Sequence, residues 1–220
     1  MKEYAFIFDM DGVIVDSNPY HKISLNQFCK KYGYALSDEE LLKRIYGRTN
    51  KEWIVNLFGP LPAAQLAAYA YEKESLYREV YQQDIQPVAG LVNFLEQLEV
   101  SGIRRAIGTS APRENVDFTL TRTGTSHFFP IILDESHIAH GKPNPEIYIK
   151  VAAALGLPPS QCVVIEDSLS GITAGQQAGA KVIGITTTHT ADELKHTDLV
   201  ISDFNGLSPE KMLNSLFGGN

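Results

Sequence analysis

The chain has 220 residues, 44% of them hydrophobic and 20% charged, and carries a formal net charge of −7. That length can bury a sizeable core and fits one domain with an insertion or two modest domains. The acidic balance argues against nucleic acid or an anionic membrane as the main partner, because both recruit basic surface.

The first stretch, Phe6-Ile7-Phe8-Asp9-Met10-Asp11-Gly12, is an apolar run that stops at two acids. It reads as a buried parallel strand delivering Asp9 and Asp11 to the carboxyl edge of a sheet, where open α/β sheets place their chemistry. Gly12 lets the chain turn tightly behind them. Two carboxylates so close repel each other unless a cation intervenes, and a divalent ion on oxygen ligands, typically Mg²⁺, is the natural one.

From about Asn18 to Gln83 the pattern turns helical, with no strand-like runs. Ile23, Leu25, Phe28 and Tyr32 mark one helix, stopped near Gly33. Ser37 can cap a second, holding Leu41, Leu42 and Ile45. Asn50 can cap a third, through Trp53, Ile54 and Leu57, closed by Gly59-Pro60. A longer helix from about Pro62 has Leu66, Tyr69, Lys73, Leu76 and Val80 along one side. We expect this block, 17–83, to be a separate helical cap domain, with 1–16 and 84–220 forming an α/β core domain. The connectors 16–19 and 82–87 are expected to act as its hinges.

The α/β rhythm resumes at Pro87. A helix around Leu91–Leu98 ends near Gly102, and a strand over 104–108 ends at Thr109-Ser110. Another helix starts from about Pro112. A third strand, Pro130-Ile131-Ile132-Leu133, ends at Asp134-Glu135. Gly141-Lys142-Pro143-Asn144-Pro145-Glu146 forms a loop opening a helix, with Asn144 as N-cap and Pro145 at the first helical position. Cys162-Val163-Val164-Ile165 is an apolar fourth strand ending at Glu166-Asp167, and Ser168 caps the next helix. Strands near 182–185 and 199–201 and a last helix around Met212–Leu216 complete the chain. Strands alternating with helices predict an α/β fold, a doubly wound parallel sheet with helices on both faces.

Parallel strands share one carboxyl edge, so Asp9, Asp11, Thr109, Ser110, Glu166 and Asp167 converge there, with Lys142 supplied by the loop. Each motif also has a plainer reading: Thr109-Ser110 as a helix cap, Lys142 as a surface lysine, Glu166-Asp167 as charge favoured at a helix N-terminus. As a set they describe phosphoryl chemistry. Asp9 is the expected nucleophile and Asp11 the general acid/base. Mg²⁺ would be held between Asp9, Asp167 and the Asp11 carbonyl, with Glu166 holding metal-bound water. Thr109, the backbone N–H groups after it and Lys142 would bind phosphoryl oxygens.

Along its whole length the chain resembles the haloacid dehalogenase-like superfamily. The motifs are Asp9-Met10-Asp11-Gly12-Val13, Thr109-Ser110, Lys142-Pro143-Asn144-Pro145 and Glu166-Asp167-Ser168 with Gly171-Ile172. The resemblance is strongest to the subgroup of β-phosphoglucomutase and the sugar-phosphate phosphatases. It implies a Rossmann-like core, an α-helical cap that selects substrate, and, since Asp11 is present, phosphoryl transfer rather than dehalogenation. His21 falls where the mutase has a cap-hinge histidine. The mutase's cap arginine aligns with Asn50, Arg48 being able to substitute only from a different angle, and its Ser-Lys-Asn is replaced by Ala111-Pro112-Arg113-Glu114-Asn115, where only Arg113 offers positive charge. His21, Arg48, Asn50, Ser110 and Arg113 are the candidate substrate-binding residues. Because these positions depart from the mutase pattern for a second phosphate grip, the chain is expected to be a Mg²⁺-dependent phosphatase of a small phosphorylated metabolite; the alternative is a β-phosphoglucomutase.

Cys29 and Cys162 lie far apart without metal-like spacing, which suits a reduced compartment. Met1–Tyr4 lead straight into the first strand, leaving no room for a signal peptide, and no run approaches membrane-spanning length. We therefore expect a cytoplasmic protein, monomeric or weakly dimeric.

Overall fold

In the computed structural model, which describes residues 3–45 and 49–218, β1 (Ala5–Phe8) is buried at all four positions. It sits inside a six-stranded sheet with β2 (Arg104–Gly108), β3 (Ile132–Leu133), β4 (Cys162–Glu166), β5 (Lys181–Ile185) and β6 (Leu199–Ile201), in the order β3-β2-β1-β4-β5-β6. Every pairing is parallel. The sequence dictates this: a strand buried on both faces has no polar side to show water, and AFIF shows none, nor does CVVIE before its terminal Glu166.

The sheet's two faces are filled differently. Ala5 and Ile7 point into a cluster with Ile147, Tyr148 and Val151 of α7 (Glu146–Ala154) and Ile172 of α8 (Leu169–Ala178). Phe6 and Phe8 point the other way, where Phe6 meets Phe94 of α5 (Leu91–Val100) edge-on at 5.5 Å and Phe8 lies 6.2 Å from Phe204. The chain winds one way from β1 to β3 and the other from β4 to β6. The crevice at that reversal, beyond the ends of β1 and β4, is where such sheets bind ligands.

Two compact units emerge, Met1–Asp16 with Ile85–Asn220, and Ser17–Asp84. Among its described residues the second holds helices alone: α1 (Asn18–Lys31), α2 (Asp38–Arg44), α3 (Asn50–Phe58) and α4 (Ala63–Tyr81). Its own core contains Leu25, Phe28, Leu41, Trp53, Ile54 and Leu57, with Phe28 edge-on to Trp53 at 5.6 Å.

Four local expectations need correction. Asn50 does not cap α3; Thr49 does, in a reciprocal box with Glu52, as Ser37 does with Glu40 for α2. The α4 expectation is incomplete: Leu66, Tyr69 and Leu76 pack on the unit's core and Lys73 is buried as expected, but the most buried residues also include Glu74, Tyr77 and Tyr81, Glu74 being hidden because it pairs with Lys73. β3 shrinks to two residues; Pro130 has no N–H to give, though Ile131 still accepts from Ile107 N at 3.0 Å. Helix α7 begins one residue later than expected, at Glu146, whose N–H donates to Asn144 Oδ1 at 3.0 Å.

Candidate active site

Asp9 continues the ladder of β1 by one bond, its N–H donating to Ile165 O at 3.0 Å. That tie holds its carboxylate, 7% exposed, beside the end of β4. Gly12 turns the chain at φ 75°. A Cβ there would overlap the Asp167 carboxylate, so glycine is required by space as well as by conformation.

Lys142 reaches this point from the loop before α7. Its Nζ donates to Asp9 Oδ1 at 2.7 Å and to Glu166 Oε1 at 2.6 Å. The loop is pinned in turn by Glu146, whose carboxylate accepts the N–H groups of Ala139 and His140 and the Lys150 ammonium.

Glu166 has no exposed surface. Its Oε1 also accepts the Tyr148 hydroxyl at 2.7 Å, while Oε2 accepts Asp167 N, Ser168 N and Ser168 Oγ, each at 3.0 Å. Both oxygens are thus fully engaged. Gly171 on α8 faces this carboxylate so closely that a Cβ would overlap it. Asp167, 4% exposed, accepts the Thr188 hydroxyl from the loop after β5. Neighbouring Thr187 donates to the Gly12 carbonyl at 2.6 Å.

The electrostatics are unbalanced. Asp9, Glu166 and Asp167 each place a carboxylate oxygen within 4.8 Å of the others, and Lys142 supplies one positive charge among them. Burial pushes Asp9 up to about 7 despite Lys142, with Glu166 and Asp11 pushing the same way. Asp167 is held well above the carboxylate range by burial, then by Glu166 and Asp9. Glu166 is lowered: burial opposes its ionisation, and Lys142 with the hydrogen bonds from Ser168 and Tyr148 outweighs that. Burial likewise opposes the Lys142 charge, and Asp9 and Glu166 more than restore it, so Lys142 titrates above its ordinary value. The three carboxylates are oxygen donors of the kind that can hold a hard divalent cation, whose binding would draw Asp9 and Asp167 back to their ionised forms.

The remaining candidates divide. Thr109 is buried at the end of β2, its N–H bonded to Leu133 O at 3.0 Å and its Oγ1 accepting Ala111 N at 3.2 Å; among the described residues no acceptor takes its hydroxyl hydrogen. Ser110 is exposed beside it. Asp11 is half-buried and close enough to raise Asp9. Arg113 bonds Asp117 at 2.9 Å and lies 4.0 Å from Asp134. His21 and Asn50 belong to the helical unit. There Lys73 Nζ lies 2.9 Å from both His21 Nδ1 and Glu74 Oε1, and Asn50 joins Glu74 to Trp53. Arg48 lies outside the described residues.

Tyr148, Thr187 and Thr188 are parts of the site that sequence reasoning missed. Tyr148 hides in an apolar helix stripe. The Thr186-Thr187-Thr188 run reads as a polar loop until β5 is known to lie beside β4.

A parallel sheet with an acid pair after its inner first strand, a lysine delivered from the loop before α7 and a second acid pair at the end of β4 defines the haloacid dehalogenase-like hydrolases. The chain belongs to that family, whose sequence profile, described as haloacid dehalogenase-like hydrolase, matches residues 6–185. It is similar to the phosphorylated carbohydrates phosphatase of Thermotoga maritima, 29% identical over 96% of this chain and 97% of the relative. Among solved structures it is similar to a family IA, variant 3 hydrolase of Entamoeba histolytica, 34% identical with a TM-score of 0.88 over 97% of this chain and 99% of that one. It is also similar to a β-phosphoglucomutase of Clostridium difficile, 27% identical with a TM-score of 0.82 over 98% and 97%.

Proposed function

We propose that the protein is a Mg²⁺-dependent phosphatase that hydrolyses a small phosphorylated metabolite, a sugar phosphate in the first instance, through an aspartyl-phosphate on Asp9. The observation that carries this reading is the Lys142 ammonium shared by Asp9 and Glu166: it keeps a buried carboxylate charged and presents positive charge where an anionic group would arrive.

An oxygen of Asp9 attacks phosphorus while the bond to the leaving alkoxide breaks, and Asp11 gives that oxygen its proton. Asp11, now ionised, takes a proton from water as the water attacks phosphorus, and inorganic phosphate leaves Asp9 regenerated. Lys142 and the Thr109 hydroxyl hold the phosphoryl oxygens. Asp9, Asp11 and Asp167 would hold Mg²⁺ near Glu166; when bound it supplies charge that offsets repulsion between carboxylates and phosphate.

The helical unit is read as the substrate-selecting cap of this family. A mutase grips phosphate at both ends of its intermediate, and here the cap position expected to bear an arginine is Asn50, occupied by Glu74 and Trp53. The buried cation nearby, Lys73, is paired with Glu74. This favours hydrolysis over isomerisation. Two buried free thiols, Cys29 and Cys162, suit the cytoplasm, and among the described residues no helix is long and apolar enough to cross a membrane.

A phosphate-release screen over sugar phosphates, nucleotides and pyrophosphate, with and without Mg²⁺, tests the reading alongside a coupled assay for glucose 6-phosphate from β-glucose 1-phosphate. Mg²⁺-dependent release is expected. Bisphosphate-stimulated glucose 6-phosphate with little free phosphate would select the mutase instead.

A further inference from the structure

Tyr148 is packed in the apolar cluster beneath the sheet, 1% exposed, where a phenylalanine would satisfy every demand of burial. Its hydroxyl therefore needs an explanation, since a buried phenol oxygen costs stability unless it is bonded. It donates to Glu166 Oε1 at 2.7 Å, the same oxygen that accepts Lys142 at 2.6 Å. The face of the same ring lies 5.0 Å from the Lys142 ammonium, a cation–π distance. One side chain thus meets Lys142 twice, through a shared acceptor and through its π face.

We propose that Tyr148 is a positioning residue that sets how much of the Lys142 charge is presented at Asp9. Lys142 has three N–H bonds to give. Two go to Asp9 and Glu166, and among the described residues the third has no acceptor, leaving it for a phosphoryl oxygen. Glu166 competes for the same charge. Two donors on Oε1 divide its pull, and the three on Oε2 stop the carboxylate from turning. Without the phenol hydrogen, Oε1 draws the ammonium to itself, and the hydrogen bond to the phosphoryl group in flight weakens while ground-state binding changes little. The inference rests on the phosphoryl-transfer reading above.

Tyr148→Phe keeps the ring and removes the hydroxyl. The expected result is a kcat about tenfold lower, the scale of one hydrogen bond, with KM changed by less than about twofold. Orthovanadate, which mimics phosphorus in flight, should bind about tenfold more weakly while inorganic phosphate binds almost as before. A merely structural role would not separate the two anions. In a Glu166→Gln background, Tyr148→Phe should cost little more, because the competing charge is already gone. If Tyr148→Phe does not fold, 3-fluorotyrosine at position 148 keeps the volume and strengthens the donor, and kcat should rise. Unchanged kcat in both variants, equal weakening of vanadate and phosphate, or the full loss repeated in the Glu166→Gln background would overturn the proposal. A wild type inert on every phosphomonoester would overturn the phosphatase reading and this inference with it; an active wild type indifferent to Tyr148 overturns the inference alone.

Discussion

Lys142 Nζ stands 2.7 Å from Asp9 Oδ1, an ammonium brought across 133 positions of sequence to the acid at the tip of the inner strand. It is 8% exposed at the side chain, and Glu166, its other partner, is fully enclosed. Lys142→Met should therefore do two things. Turnover should fall by about three orders of magnitude, as for loss of a principal charge at the transferring group. Stability should fall by about 3–5 kcal/mol at neutral pH, because the carboxylates lose their one buried cation. Steady-state kinetics and urea melts of the same preparation check both.

The acid cluster makes stability depend on pH and metal in a definite direction. Asp9, with an ordinary value of 3.8, rises to about 7 in the folded protein, and Asp167 moves the same way. Over that window the native state holds more protons than the unfolded chain, so these groups weaken folding as pH rises from about 4 to about 7. Glu166, lowered by Lys142, opposes the trend and gives up its contribution as pH falls through its own titration. A divalent cation binds the ionised forms, so saturating Mg²⁺ should raise the melting temperature by about 5–10 °C at pH 8 and far less at pH 5. Scanning calorimetry with Mg²⁺ and with EDTA measures this; an equal gain at both pH values would contradict it.

Thr188 contributes through Asp167, whose Oδ2 accepts its hydroxyl. Thr188→Val keeps the shape and removes the donor. Partners that orient a ligating carboxylate are typically worth about 10–100-fold in metal affinity, so the Mg²⁺ concentration for half-maximal activity should rise by about that factor with kcat at saturation nearly preserved. Titration of Mg²⁺ by calorimetry gives the same quantity without turnover.

The strand-end residues were legible because each lies at or just past the end of its own strand in sequence: Asp9 after Phe8, Thr109 after Gly108, Glu166 as the last residue of β4. A parallel sheet then brings them to one edge whatever its strand order. Tyr148 and Thr188 were not legible for the same physical reason in reverse. The bond from Tyr148 to Glu166 needs α7 laid across β4, and that from Thr188 to Asp167 needs β5 beside β4; neither neighbour is implied by local sequence. In the helical unit, hydrophobic periodicity placed Lys73 on the apolar side of α4 but gave no sign that Glu74 would be buried with it. A burial pattern built from apolar residues does not register a charge that is hidden because it is paired. The N-cap of α3 shifted from Asn50 to Thr49 because Thr49 has a glutamate three residues on.

That buried pair gives a test confined to one unit. Lys73 and Glu74 are each 7% exposed, and Glu74 is held below its usual value: burial resists its charge, and Lys73, His21 and Asn50 together more than compensate. Glu74→Ala leaves the buried Lys73 charge without its carboxylate and takes away the acceptor of the Asn50 amide, at a cost of about 3–5 kcal/mol. Hydrogen–deuterium exchange should show lost protection within 17–84 and little change in β1, β2 and β4. Protection lost equally in the sheet would mean that the units do not unfold separately.

The most direct measurement is to stop turnover of a phosphorus-labelled substrate by rapid acid quench and locate the label on the protein. A transient, hydroxylamine-sensitive phosphoryl group mapped to the peptide bearing Asp9, and missing from Asp9→Asn, is the expected result. Label on another side chain, or Asp9→Asn releasing phosphate at the wild-type rate, would contradict the account.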